Sequence, residues 1–180
     1  LNIFFPALKI SPGTTVTGNA RNMPRLFELN VVSDSIRYDE VVFTGVNMKT
    51  KTSGPQLAFS NRFSQIILSD TLRLITPGFE GKTDRYKSSF NFYSSSRDSA
   101  NTAVNLKVEA NYLSSGKTLI HLLPSDVRYE GKVWTVDEVN SILVDSTVVD
   151  INNISFTSDD EKLTLNGTAS ADKNDRVTLT

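Results

Sequence analysis

Apolar and polar residues alternate singly along most of the chain. The plainest run is Ala103 to Tyr112, where Val104, Leu106, Val108, Ala110 and Tyr112 alternate with Asn105, Lys107, Glu109 and Asn111. A period of two marks a β-strand with one dry and one wet face. At about 3.4 Å per residue this strand is roughly 30 Å long, longer than the usual five or six residues. The last third keeps the same rhythm. Val149 and Ile151 alternate with polar neighbours, and Ile154 and Phe156 resume the alternation after the Asn152-Asn153 pair. Ser158 to Glu161 reads as a turn. Leu163 and Leu165 follow in alternation, Gly167 comes next, and Ala171 to Asp175 reads as a second turn. Val177 and Leu179 open a strand still running at Thr180, as in a segment cut from something longer.

The earlier chain is choppier. Residues 1–10 carry Ile3, Phe4, Phe5, Leu8 and Ile10 around Pro6, which suits an edge strand or a short irregular lead. Ser11-Pro12-Gly13 is a turn, and Thr14 to Thr17 is a β-prone run ending at Gly18. Asn22-Met23-Pro24 is a break. Leu26 to Val32 places Phe27, Leu29 and Val31 on one face, and Ser33-Asp34 reads as a turn before the brief Ile36-Arg37-Tyr38. Val41 to Lys49 has Val42, Thr44, Val46 and Met48 in phase, and Gly54-Pro55 turns. Gln65 to Ile75 is the most apolar region. Ser69-Asp70 interrupts it, so two short strands are expected, with a helix as the competitor. Pro77-Gly78 and Gly81 close it. Lys87 to Ser94 brings Phe90 and Phe92 into register, and Ser94 to Asp98 is a polar loop. Ser114-Ser115-Gly116 reads as a hairpin turn before Leu119 to Leu123, Pro124-Ser125-Asp126 as a break, and Gly131 to Asp137 and Ile142 to Asp145 as further strands.

A dozen or more short strands divided by turn signals, with no capped 3.6-residue period, predict an all-β chain. The expected form is an extended, curved antiparallel or mixed β-sheet, trough-like with one apolar face, or else a β-sandwich. Residues 1–180 read as a single all-β segment excised from a larger chain. A faint internal echo pairs Val16-Thr17-Gly18-Asn19-Ala20 with Leu165-Asn166-Gly167-Thr168-Ala169. In both, the glycine is expected to mark a bulge or a close backbone approach.

Composition narrows the function more than it names it. Nineteen basic and 20 acidic residues give a net charge of −1, with no block of either sign. That speaks against an electrostatic nucleic-acid binder. There are no cysteines, hence no disulfide framework and no thiolate chemistry. No apolar run approaches the roughly 20 residues of a membrane-spanning helix, and Leu1 follows no signal-peptide pattern.

Candidate chemistry is thin. His121 is the single histidine. It sits among Leu119, Ile120, Leu122 and Leu123, and a metal site needs several convergent ligands. A Ser-His-Asp triad would need the same histidine and a nucleophile elbow that is missing. Asp159-Asp160-Glu161 reads as a solvated turn, and Asp172-Lys173-Asn174-Asp175 lacks the rest of a calcium-loop pattern. No phosphate-cradling glycine motif is present. A glycosidase carboxylate pair is open to any two acids, and none stands out. Asn153-Ile154-Ser155 and Asn166-Gly167-Thr168 match the glycosylation triplet. Trp134, Phe90, Phe92 and Tyr112 suit either a sugar-stacking platform or a core. No catalytic residue, metal ligand or cofactor is assigned, and the chain is read as non-enzymatic.

In the C-terminal third, V-W-T-V (133–136), S-I-L-V-D (141–145), V-D-I-N-N-I-S-F (149–156), K-L-T-L-N-G-T-A-S (162–170) and D-R-V-T-L-T (175–180) follow one another. This order resembles the C-terminal region of TamB/AsmA-like envelope proteins of the Bacteroidetes type. T-V-T-G (15–18), L-F-E-L-N-V-V-S-D-S-I (26–36) and I-I-L-S-D-T-L-R-L (66–74) are compatible with it, so the resemblance touches most of the chain. It implies a long periplasmic protein anchored in the inner membrane by an N-terminal helix that this sequence lacks. It also implies an outer-membrane β-barrel partner, a β-trough with an apolar interior, and a part in phospholipid transport or outer-membrane protein assembly.

The expected function is therefore an apolar β-groove in the cell envelope, taking phospholipid or another apolar ligand. The residues expected to form its apolar face are Phe90, Phe92, Val104, Leu106, Val108, Ala110, Tyr112, Leu163 and Leu165, with ordinary core as the competing role. A charge at Val108 should then abolish lipid binding while the sheet stays folded. The alternatives are a carbohydrate-binding or adhesin-type β-sandwich and a structural spacer repeat.

Overall fold

The computed structural model describes residues 7–22, 26–69, 73–95, 103–129, 131–172 and 174–180. The chain forms a 17-stranded antiparallel β-sheet, with no helix among the described residues. In chain order the strands are β1 (Leu8–Ile10), β2 (Thr15–Arg21), β3 (Leu26–Tyr38), β4 (Val41–Ser53), β5 (Gln56–Arg62), β6 (Gln65–Ile67), β7 (Arg73–Ile75) and β8 (Gly78–Thr83). They continue with β9 (Lys87–Ser95), β10 (Ala103–Tyr112), β11 (Thr118–Leu122), β12 (Asp126–Tyr129), β13 (Lys132–Val136) and β14 (Ser141–Asp145). The last are β15 (Val148–Ser158), β16 (Glu161–Ala169) and β17 (Val177–Leu179). They gather into two compact units, Leu1–Lys82 with Phe92–Ala100 and Thr83–Asn91 with Asn101–Thr180.

Three strands, β5, β8 and β12, lie where the sequence pattern shows only turns or weak alternation. Ser33-Asp34, which reads as a turn, is the middle of β3. Its turn-forming residues are held straight by neighbours: Ser33 Oγ lies 2.6 Å from Thr14 Oγ1 and 3.0 Å from Ser11 Oγ, and donates to the Ser35 carbonyl. The residues between Gln65 and Ile75 are two strands, as expected. The expected breaks at Met23-Pro24 and Asp70, the loop beyond Ser95 and the apolar lead before Ala7 lie outside the described residues.

In the first unit the two long strands, β3 and β4, run through, and each is lined by two shorter strands with a break between them. β1 and β2 both pair with β3, on either side of the Ser11 to Thr14 loop. β5 and β6 both pair with β4, one against Asn47 to Ser53 and the other against Val42 to Thr44. Between them, Gly45 takes φ 57, and a Cβ there would lie 2.1 Å from Ser64 Oγ. The same row reaches Thr76 at φ 47, whose N–H donates to the Ser64 carbonyl. Phase slips here. Val46 and Met48 face the apolar side beyond Gly45, but before it the apolar members are Val41 and Phe43, not Val42 and Thr44. Phe43 packs on Phe63 with ring centroids 5.4 Å apart, joining the apolar residues on either side of the break. Val46, at 1% exposure, is almost wholly buried.

The second unit repeats the device. β11 and β12 both pair with β10, on either side of Leu123-Pro124-Ser125. β13 and β14 both pair with β15. The β15–β16 register shifts between Ile151 and Ile154, where Asn153 takes φ 51. This bulge is the physical content of the skipped beat at Asn152-Asn153: one extra residue restores the apolar side to its own face. Gly167, at φ 129, sits opposite the bulge, and a Cβ there would lie 2.1 Å from the Arg176 carbonyl oxygen. Gly18 is a close approach without a bulge, in regular register with Leu29 and 2.9 Å from the Glu28 carbonyl by the same measure.

Candidate functional site

Residues directly opposite in an antiparallel ladder share a face. That rule assembles the second unit's apolar side from the strand registers. One row runs Ala110, Ile120, Ile142, Ile151, Gly167, Val177 across β10, β11, β14, β15, β16 and β17. Beside it run Tyr112, Thr118, Val144, Val149 and Ala169. Across the line of breaks, Val104, Val127 and Trp134 face together, as do Val136, Phe156 and Leu163. Ile154, Leu165 and Leu179 complete that half. β10 runs through the break without a bulge, so Val104, Leu106, Val108, Ala110 and Tyr112 carry one face from end to end.

Burial falls away from the break. Val108, Ala110, Val136 and Ile154 are buried. Leu106, Ile120, Trp134, Ile142, Ile151 and Leu165 are half-buried. Tyr112, Leu163, Val177 and Leu179 are exposed, at 40%, 43%, 41% and 66%. Of the residues expected on the face, Val108 and Ala110 belong to the core beside the break. Leu163 and Tyr112 lie at the open margin. Tyr112 Oη lies 2.6 Å from Ser88 Oγ, and Phe90 and Phe92 alternate in phase with Ser88 along β9. Trp134 stands on the apolar face between Val127 and the rest of β13.

The other face is mostly polar, with Leu119 and Leu143 opposite each other in a row between Asn111 and Asp150. Glu109 pairs with His121, and Asn105, Asp126, Thr135, Thr157 and Lys162 form one row. Three ion pairs brace this side of the second unit: Lys87–Glu109 at 2.6 Å, Lys117–Asp145 at 2.8 Å and Lys162–Asp137 at 2.8 Å. The Lys87 ammonium, then the Asn111 amide, hold the Glu109 carboxyl below its ordinary range. Lys162 does the same for Asp137, with help from the Thr157 hydroxyl. The Asp145 carboxylate raises the Lys117 ammonium.

The line of breaks is itself lined with polar side chains that serve the backbone. His121 Nδ1 donates to the Asn140 carbonyl at 2.7 Å. Ser125 Oγ donates to the Leu123 carbonyl and accepts the Lys107 N–H. Asn153 donates its N–H to Asn166 Oδ1 at 2.6 Å. Ser155, wholly buried, bonds Asn153 Oδ1 and Thr164 Oγ1. The Asp172–Asp175 turn is tied by its own bonds, with Asp172 Oδ1 accepting from the Asn174 N–H. Among the described residues no group of three or more histidines and acids stands close enough to hold a metal ion. The polar spine passed unnoticed in the sequence, where Asn and Ser beside turn residues look like loop chemistry. Its one legible signal is the skipped beat in apolar alternation.

No protein-family model, curated protein or solved structure matches the chain.

Proposed function

We propose that this chain is a non-enzymatic segment of a periplasmic envelope-biogenesis protein of the TamB/AsmA type, and that its apolar β-face receives phospholipid acyl chains or the strands of outer-membrane proteins in assembly. One observation carries the reading: the second unit presents one apolar face across eight strands, buried beside the line of breaks and open toward its margins. Large apolar side chains left open at the margin are costly in water, and surface of that kind is what a binding partner covers. An acyl chain laid on it gains about 0.8 kcal/mol for each methylene removed from water. Head groups stay at the rim, in water. The full protein is anchored in the inner membrane and works with an outer-membrane β-barrel partner.

Native mass spectrometry of the purified chain, with lipid extraction alongside, tests the reading. Co-purifying phospholipid in stoichiometric amount, lost in Leu163→Glu with the sheet intact, is the expected result. A clean mass that takes up no added lipid would sink it. That outcome favours a structural spacer, a role suited to β2, which is exposed along its whole length and offers an edge for pairing.

A further inference from the structure

The first unit contains a cleft of about 630 Å³ on its own line of strand breaks. Ligand pockets of small molecules span roughly 300–1,000 Å³. Three features set this cleft apart. The Tyr93 ring lies on bare backbone at Gly78, where a Cβ would stand 2.1 Å from the ring. Pro77, fully buried, backs the ring, so the part-exposed Tyr93 ring is the apolar wall. Thr76, a β-branched residue, is held at φ 47, a conformation such side chains rarely adopt and one that gathers at functional sites. Its Oγ1 lies 2.7 Å from Ser95 Oγ, so two hydroxyls stand together on the cleft. Arg62 lines the same cleft and is exposed. The four ion pairs among the described residues all use lysine, and Arg62 is in none of them. A guanidinium with its donors free is a fork for carboxylate or phosphate oxygens.

We propose that this cleft binds one small organic anion, its carboxylate or phosphate on the Arg62 guanidinium and the Thr76 and Ser95 hydroxyls, its apolar body against the Tyr93 ring. The anionic group belongs either to a soluble molecule or to a lipid headgroup. The site is independent of the apolar face of the second unit, and neither assignment needs the other.

Amide shifts of the ¹⁵N-labelled chain, titrated separately with glycerol 3-phosphate, hexanoate and dihexanoyl phosphatidate, test it. Saturable shifts are expected at Phe63, Thr76 and Tyr93 to Ser95, with at least tenfold weaker binding in Arg62→Gln and in Tyr93→Ala. Arg62 is exposed, so Arg62→Gln should keep the wild-type spectrum elsewhere. Saturation by glycerol 3-phosphate or hexanoate marks a soluble anion as the source. Saturation by dihexanoyl phosphatidate alone marks a lipid headgroup. No saturable shift with any of the three, or unchanged affinity in Arg62→Gln, overturns the proposal.

Discussion

The carboxamide of Asn140 exchanges two hydrogen bonds with the backbone of Leu122: Oδ1 accepts the Leu122 N–H at 2.8 Å and Nδ2 donates to the Leu122 carbonyl at 2.8 Å. This is the double bond pattern of an antiparallel pair, made by a side chain where residues between β13 and β14 leave the ladder. Nδ2 also donates to the Asp137 carbonyl at 2.7 Å. Asn140 is buried, at 5% exposure. Asn140→Ala strands these backbone groups away from water, at about 1–3 kcal/mol for each buried group left unmade. We expect urea unfolding to show a loss of at least about 2 kcal/mol, and amide exchange at Leu122 to quicken. Unchanged stability would mean water replaces the carboxamide.

Asn61 points the other way. Its Oδ1 is buried with no hydrogen-bond partner, opposite Met48 and two residues from Phe59 on the same strand. Asn61→Leu removes an unsatisfied acceptor from an apolar face. The expected gain is about 1 kcal/mol in urea unfolding. A loss would show that the Asn61 amide has a partner in solution.

Gly167 is set by two constraints at once, φ 129 and the carbonyl of Arg176 beside it. Gly167→Ala is strained in the backbone and must also push β17 away. Hydrogen exchange should speed at Thr178 and Thr180, whose neighbours are paired to β16, while β10 and β11 keep their protection. Unaltered exchange at those two positions would show that the carbonyl moves aside freely.

Acid should weaken the second unit. Glu109 and Asp137 lie below their ordinary values of 4.5 and 3.8 in the fold. The unfolded chain therefore takes up protons first. Their contribution is complete above about pH 5 and is lost as the pH falls through the folded values. Each pair is partly exposed, so at most about 1 kcal/mol is at stake in each. The double variant Glu109→Gln, Asp137→Asn should show a flatter stability profile between pH 5 and pH 3 on the order of those limits. An identical profile would place the acid sensitivity elsewhere.

The apolar face divides into core and margin, and substitutions should report which is which. Val108→Asp buries a carboxylate beside the break and should cost about 3 kcal/mol or more, read as loss of the sheet signal by circular dichroism. Leu163→Glu, at 43% exposure, should change stability by less than about 1 kcal/mol. If the two behave alike in unfolding, the margin is closed. Loss of the sheet in Val108→Asp would make that variant a reporter of folding, and Leu163→Glu the reporter of lipid binding.

Alternation was enough to give the class of fold and most strand positions. The five residues of β10 and the pair Leu163 and Leu165 share a side because a period of two is a local property of extended backbone. Three things needed the folded chain. β5, β8 and β12 are strands because the neighbouring ladders pair them, though their own alternation is weak. Val108 is sealed and Leu163 open because burial depends on distance from a break drawn across many strands, which no single strand encodes. The cleft joins Arg62, Thr76 and Tyr93 because β5, the β7–β8 connection and β9 bring them together. Even the breaks left a trace, the lost beat at Asn152-Asn153, but only pairing with β14 and β16 shows that the neighbouring strands break at the same line. Side-chain direction is set residue by residue, whereas the alignment of irregularities between strands is set by register, and register is a property of the sheet.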